Sequence, residues 1–159
     1  MMNKAIFLDR DGTINVDFGY VSNVEDLELL DDVVEALRLF QAAEYQIIVI
    51  TNQSGVGRGY FTLEDVEVFH NELASQLEDL DVNIDDFMVC PHSPDDYCSC
   101  RKPYPTMVLQ AMERHNIDPS LSFMFGDKSS DVECGTSAGV KSYLITADKN
   151  LLYWAKKLL

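Results

Sequence analysis

The feature that most constrains this chain is an alternation. Short apolar runs, each ending in a polar cluster, are separated by single segments of helical periodicity. The first run, Ala5-Ile6-Phe7-Leu8, stops abruptly at Asp9. So short a run reads as a buried strand. Val33, Val34, Leu37 and Phe40 then recur at helical spacing within 31–43. A second, β-branched strand is expected over 46–50, followed by a Gly-rich loop over 52–60. Thr62 has Asp65 three residues on, close to a capping box, which starts a helix running to about residue 80. Asp86–Cys90 reads as a third strand, 91–103 as irregular, and Thr106–His115 as a helix. A fourth strand over 122–125, a helix over 130–138 and a fifth strand over 140–145 complete the pattern.

Strands separated by single helices imply parallel βαβ units, so the expected class is α/β: a doubly wound parallel sheet with helices on both faces. The 159 residues are 47 % hydrophobic, enough to bury the core of one ordinary domain. No Pro-, Gly- or Ser-rich linker, repeat or low-complexity tract interrupts them, so a single domain over 1–159 is expected.

In such a sheet the ligand lies beyond the carboxyl ends of the strands. Three polar clusters fall there: Asp9-Arg10-Asp11-Gly12-Thr13, Thr51-Asn52-Gln53-Ser54-Gly55 and Gly126-Asp127-Lys128-Ser129-Ser130-Asp131. A fourth, Arg101-Lys102-Pro103, follows the third strand after a cysteine-rich loop. Residues two apart in an extended segment point the same way, so Asp9 and Asp11 face one cleft. Adjacent carboxylates call for a cation or a raised pKa. Asp127 and Asp131 can help hold such a cation, and a carboxylate-rich oxygen set suits magnesium. The competing reading of Asp-Arg-Asp-Gly alone is a simple turn.

These parts match what phosphoryl transfer needs, which is in-line positioning and charge neutralisation. One carboxylate can act as nucleophile. The second can protonate the leaving oxygen and then deprotonate water. Lys102 would offset charge on the phosphoryl oxygens, and Thr51 with backbone N–H groups near Asn52 would donate to them. Gly12, Gly55, Gly57 and Gly59 would let the backbone approach a substrate.

The net charge of −15 argues against nucleic acid as a partner. It leaves a small phosphorylated substrate open, because local cations override a mean field. Only 12 residues are basic, and Arg10, Arg58, Arg101, Lys102 and Lys128 all fall in the motifs. No apolar run nears the roughly 18 to 20 residues that span a bilayer. The N-terminal apolar run is too short for a signal peptide, so a cytoplasmic protein without membrane association is expected. No coiled-coil heptads occur, and a monomer is expected.

Three of the four cysteines, Cys90, Cys98 and Cys100, cluster with His92. With no secretion signal, clustered Cys and His favour a metal over disulfides. Cys90-x-His92-x₅-Cys98-x-Cys100 provides a closed Cys₃His set that suits structural zinc. The alternative is a group of buried free cysteines.

Asp9-Arg10-Asp11-Gly12-Thr13 resembles the D-x-D-x-T signature of the haloacid dehalogenase (HAD) superfamily of phosphatases. Thr51 matches its second motif, Lys102 its third, and Gly126-Asp127-x-x-x-Asp131 its fourth. The resemblance implies a HAD-like, Rossmannoid fold and a phospho-aspartate intermediate. It implies that Asp9 is nucleophile and magnesium ligand, and that Asp11 is general acid/base and lends a backbone carbonyl to the metal. Asp127 would be the other carboxylate ligand, and Asp131 a motif member of undefined role.

The segments Phe7 through Asp17 with Gly19-Tyr20-Val21, Thr51 through Gly59, and Cys100-Arg101-Lys102-Pro103-Tyr104-Pro105 narrow the match. They resemble the D-glycero-D-manno-heptose 1,7-bisphosphate 7-phosphatases. That resemblance implies a phosphorylated sugar substrate in surface-polysaccharide synthesis, no large cap domain, and a structural zinc loop. It further implies that Arg101 and Lys128 bind phosphate, and that Asn52, Gln53, Ser54 and Arg58 line the substrate site. The short His92-to-Cys98 gap is closer to the related histidinol-phosphate phosphatases, which makes histidinol phosphate or another small phosphomonoester the alternative substrate. The alternative of another class is a non-catalytic, zinc-stabilised binding protein.

Other residues read as structural. His70 and His115 are expected to be ordinary surface or packing residues, and Cys134 a small buried one. The stretch 151–159 is expected to be a docked terminal helix rather than a membrane-surface helix. The acidic stretch 78–86 is expected to be solvated.

Overall fold

A computed structural model describes residues 2–159, and Met1 lies outside the described residues. The apolar runs form five strands: β1 (Ala5–Leu8), β2 (Gln46–Asn52), β3 (Asp86–Cys90), β4 (Phe123–Gly126) and β5 (Lys141–Leu144). They pair in parallel in the order β3-β2-β1-β4-β5. The chain first builds outward from β1 through β2 to β3, then returns to the other side of β1 for β4 and β5. A topological switch therefore lies between β1 and β4, where doubly wound sheets bind ligands.

Helices cover both faces, as the alternation requires. Ile6, Leu8, Ile47, Val49 and Phe125 face a core with α1 (Val33–Ala42), α3 (Leu63–Glu78) and α6 (Leu151–Leu158). Ala5, Phe7, Ile48, Ile50 and Met124 face a second core with α4 (Thr106–His115) and α5 (Ser129–Ser137). Odd and even strand positions thus serve different layers, and β1 is buried on both faces. The start of α3 follows the sequence closely. Thr62 Oγ1 accepts from Asp65 N at 3.1 Å, and Asp65 Oδ2 accepts from Thr62 N at 2.9 Å, a reciprocal cap.

Four local differences from expectation have physical causes. The Gly-rich loop contains a short helix, α2 (Ser54–Gly57), closed by Arg58 N donating to Ser54 O at 3.0 Å. Its glycines conceal it because glycine has poor helix propensity. Gly57 is required there because a Cβ would press on the Ser93 backbone. Strand β2 runs on to Asn52, paired with Cys90. Strand β4 starts at Phe123, because the Ser122 hydroxyl instead accepts from Ala5 N at 3.0 Å. Val140 lies outside β5, next to the left-handed Gly139.

The terminal helix α6 docks as expected, burying Leu151 and Ala155 against α1. Asp32 Oδ2 ties it to α1 by accepting from Leu152 N at 3.2 Å. Cys134 is fully buried. Among the described residues, no helix is long and apolar enough to cross a membrane.

Candidate active site

Asp9 directly follows β1, and its N–H donates to Phe125 O of β4 at 3.1 Å. Leu8 pairs with Phe125, so Gly126 stands level with Asp9, and Asp127 projects from the loop beyond β4. The switch point thus brings Asp9, Asp127 and Asp131 together, with ligand oxygens within 4.8 Å of one another. Gly12 makes this possible. Its φ is 82°, and a Cβ there would strike the Asp127 carboxylate.

Lys102 enters from the other side. Its Nζ lies 2.8 Å from Asp9 Oδ1, 2.6 Å from Asp131 Oδ1 and 2.8 Å from Ile50 O. All three of its protons are therefore used. Burial alone would push its pKa down, but Asp9 and Asp131 outweigh burial and hold it above the ordinary lysine value. Asn52 brackets the Lys102 peptide: Oδ1 accepts from Lys102 N at 3.0 Å, and Nδ2 donates to Lys102 O at 3.4 Å. Asp131 is committed on both oxygens, since Oδ2 accepts from Lys128 N at 3.1 Å. Burial and the neighbouring Asp9 raise its pKa, against the opposing pull of Lys102.

Asp127 is different. Its Oδ1 is buried with no hydrogen-bond partner. Burial, then hydrogen bonding and proximity to Asp9, and then Asp131 push its pKa up to about 7. Three carboxylates thus share one ammonium, and the raised pKa of Asp127 reflects that crowding. An orphaned carboxylate oxygen in a cluster of carboxylates that outnumber their cation fits a divalent, oxygen-seeking cation.

The cluster opens into a cavity of about 290 Å³. Asp9, Asp11, Asn52, Gln53, Ser54, Arg58, Arg101, Lys102, Lys128 and Asp131 all stand on its wall. Four of the 12 basic residues therefore converge on one cavity in an acidic protein. Arg101 Nη1 is buried without a partner, a donor free for an anionic ligand. Asp17, Gly19 and Tyr20 add a further wall, with Tyr20 edge-on to Tyr60 at 4.9 Å. Thr51 is off the wall: it is buried, and its Oγ1 accepts from Gln53 Nε2 at 2.9 Å.

Asp11 accepts from four donor groups. Arg10 donates through Nε to Oδ1 at 2.9 Å and through Nη2 to Oδ2 at 3.0 Å. Asn15 Nδ2 reaches Oδ1 at 3.0 Å, and Gln53 Nε2 reaches Oδ2 at 3.3 Å. Of the two expectations for His70, surface or packing, the structure shows packing. His70 is buried, stacked on Phe87, with Nε2 3.1 Å from Arg10 Nη1. Burial first, and Arg10 second, pull its pKa down to about 3. His115 is a surface partner of Asp86, at 2.7 Å. Arg10 and His70 are the residues that sequence reasoning left without a role. They stand 60 positions apart, and only the Asp-Arg-Asp spacing hinted at the first.

The cysteine loop is pinned to α2 by Gly57 N donating to Pro91 O at 2.9 Å. Ser93 N donates to Asp96 Oδ2 at 2.7 Å, and Tyr97 takes a left-handed φ of 50°, which closes the short turn between His92 and Cys98. Cys90, His92, Cys98 and Cys100 have ligand atoms all within 4.8 Å of one another. His92 Nδ1 is 3.6 Å from Cys90 Sγ and 3.3 Å from Cys100 Sγ. Cys90 and Cys100 are also at disulfide contact. The set has the donor chemistry for zinc, and the loop delivers Arg101 and Lys102 directly to the cavity.

The HAD-hydrolase-like family matches residues 99–156. The D-glycero-beta-D-manno-heptose-1,7-bisphosphate 7-phosphatase of Helicobacter pylori strain J99 is 46 % identical over 94 % of this chain and 86 % of its own length. The enzyme of that name from Escherichia coli K12 is 42 % identical over 86 % of this chain and 75 % of its own. Among solved structures, the D,D-heptose 1,7-bisphosphate phosphatase from B. bronchiseptica, complexed with magnesium and phosphate, superimposes with a TM-score of 0.89. It is 27 % identical and covers 99 % of this chain and 98 % of its own.

Proposed function

This chain belongs to the family of D-glycero-β-D-manno-heptose-1,7-bisphosphate 7-phosphatases among the HAD-like hydrolases, and on that premise we propose that it removes the 7-phosphate of the heptose bisphosphate through a phospho-aspartate on Asp9. The observation that carries the reading is the convergence of Asp9, Lys102 and three further cations on one cavity at the sheet's switch point.

Lys102 fixes the Asp9 carboxylate through Oδ1, so the nucleophile needs no reorientation when substrate arrives. An Asp9 oxygen forms the new bond to phosphorus as the bond from phosphorus to the sugar oxygen breaks. Asp11 gives its proton to that leaving oxygen. Asp11 then takes a proton from water as the water oxygen attacks phosphorus, which frees phosphate and regenerates Asp9. Arg101 and Lys128 bind phosphoryl oxygens, while Asn52, Gln53, Ser54 and Arg58 shape the sugar side. Thr51 works from beneath, by holding Gln53.

Magnesium would be held by Asp9, Asp127 and the Asp11 carbonyl, and it offsets charge on the phosphoryl oxygens when bound. Asp131, with both oxygens committed, orients Lys102 rather than ligating the metal. Zinc on Cys90, His92, Cys98 and Cys100 would be structural, since a closed four-ligand set offers no open position.

The test measures phosphate release, with magnesium, from the heptose bisphosphate and from histidinol phosphate, using wild type and Asp9→Asn. Preferred turnover of the bisphosphate, lost in Asp9→Asn, is expected. Preference for histidinol phosphate would overturn the substrate, and an active Asp9→Asn would overturn the nucleophile.

A further inference from the structure

Arg10 separates the two carboxylates of the Asp-Arg-Asp segment, yet it is absent from the cavity wall and fully buried. A buried guanidinium is costly unless its donors are satisfied. Two of them grip Asp11 from the side, at 2.9 and 3.0 Å. Nη2 also donates to Val21 O at 2.7 Å, and the Phe69 ring lies 4.3 Å from the guanidinium carbon. The remaining contact is Nη1 to His70 Nε2, at 3.1 Å.

That last contact fixes a chemical state. A guanidinium only donates, so His70 Nε2 accepts and the ring proton resides on Nδ1. The imidazole is itself held face to face with Phe87 of β3, at 4.3 Å and 12°. A continuous line therefore runs from the edge strand through His70 and Arg10 to Asp11. A two-point fork on a carboxylate fixes its plane as well as its place. An acid/base group that serves both half-reactions needs that plane held against the substrate oxygen.

We propose that Arg10 and His70 are positioning residues for Asp11: the Arg10 fork sets the carboxylate plane, and His70 Nε2 holds the fork. The inference rests on the reading of Asp11 as the acid/base group.

The test is a set of double-mutant cycles on phosphate release from the heptose bisphosphate. His70→Gln keeps an acceptor for Arg10, His70→Leu removes it, and Arg10→Met removes the fork. His70→Leu is expected to lower kcat about 10- to 100-fold, in the range typical of outer-shell partners, with KM unchanged. His70→Gln is expected to restore most of that loss. In the Asp11→Asn background neither His70→Leu nor Arg10→Met should cost anything further.

Wild-type kcat in a folded His70→Leu protein would overturn the inference. So would His70→Gln as slow as His70→Leu, or His70→Leu slowing an already slow Asp11→Asn enzyme by the same factor again. Asp11→Asn alone with wild-type kcat would instead overturn the role of Asp11, and the inference with it. If Arg10→Met does not fold, the His70 pair alone decides the outcome.

Discussion

Replacing His70 with Gln should make this protein markedly less sensitive to mild acid. In the folded chain His70 is held down to about 3, by burial and then by Arg10. In the unfolded chain it titrates near 6.5. Between those values the unfolded chain binds a proton that the folded chain does not. Stability is therefore complete above about pH 6.5 and lost as pH falls toward 3. At pH 5 the gap is about 1.5 units, and at about 1.4 kcal/mol per unit the loss is about 2 kcal/mol. For a chain of this size that corresponds to a midpoint shift of about 6 °C. Gln offers Arg10 an acceptor oxygen and does not titrate. Thermal melts followed by circular dichroism at pH 7.5 and pH 5.0, at equal metal concentrations, would measure the effect. Groups common to both proteins cancel in the difference, so wild type should lose about 6 °C more than His70→Gln. Equal losses would refute the account of His70 as a buried neutral acceptor.

Other expected outcomes follow from the same geometry. Lys102→Met should abolish turnover, and without magnesium it should destabilise the fold by about 3 to 5 kcal/mol, because two buried carboxylates lose their cation; chemical denaturation in chelator would show this. Gly12→Ala should weaken magnesium activation and cost about 1 to 3 kcal/mol, through a strained φ and a Cβ against Asp127; a magnesium titration of activity alongside a melt reads both. Asp11→Asn should slow turnover by about 10²- to 10⁴-fold, as expected for loss of general acid/base catalysis. If Cys90, His92, Cys98 and Cys100 hold zinc, elemental analysis should find about one zinc per chain. Denaturation in chelator without reductant should then expose all four thiols, whereas a Cys90–Cys100 disulfide would leave only Cys98 and Cys134.

Much of the architecture was legible because it is local. The apolar run ending at Asp9, the Thr62 cap, and the spans of β3 and α4 follow from periodicity and capping over a few residues. Because β1 and β4 flank the switch point, the place of Asp9 beside Asp127 followed from topology. What escaped were pairings set by packing. Arg10 finds His70 across 60 positions, and Asn52 brackets Lys102 across 50, neither of which leaves a periodic trace. The contact between Thr51 and Gln53 was likewise not legible: Thr51 Oγ1 accepts from Gln53 Nε2, which leaves its own O–H to donate. Helix α2 was hidden because glycine, needed there for contact with the Ser93 backbone, is a poor helix former. The cysteine spacing revealed the cluster, but it carries no record of whether thiolates bind a metal or Cys90 pairs with Cys100.

The central claim is that Asp9 becomes phosphorylated. Rapid mixing of wild type with heptose bisphosphate and magnesium, acid quench within the first turnover, and tandem mass spectrometry of the N-terminal peptide would test it. An acyl phosphate on Asp9, chased away on longer incubation and absent from Asp9→Asn, is the predicted result. Phosphate release at full rate with no phosphoryl group ever found on Asp9 would contradict it.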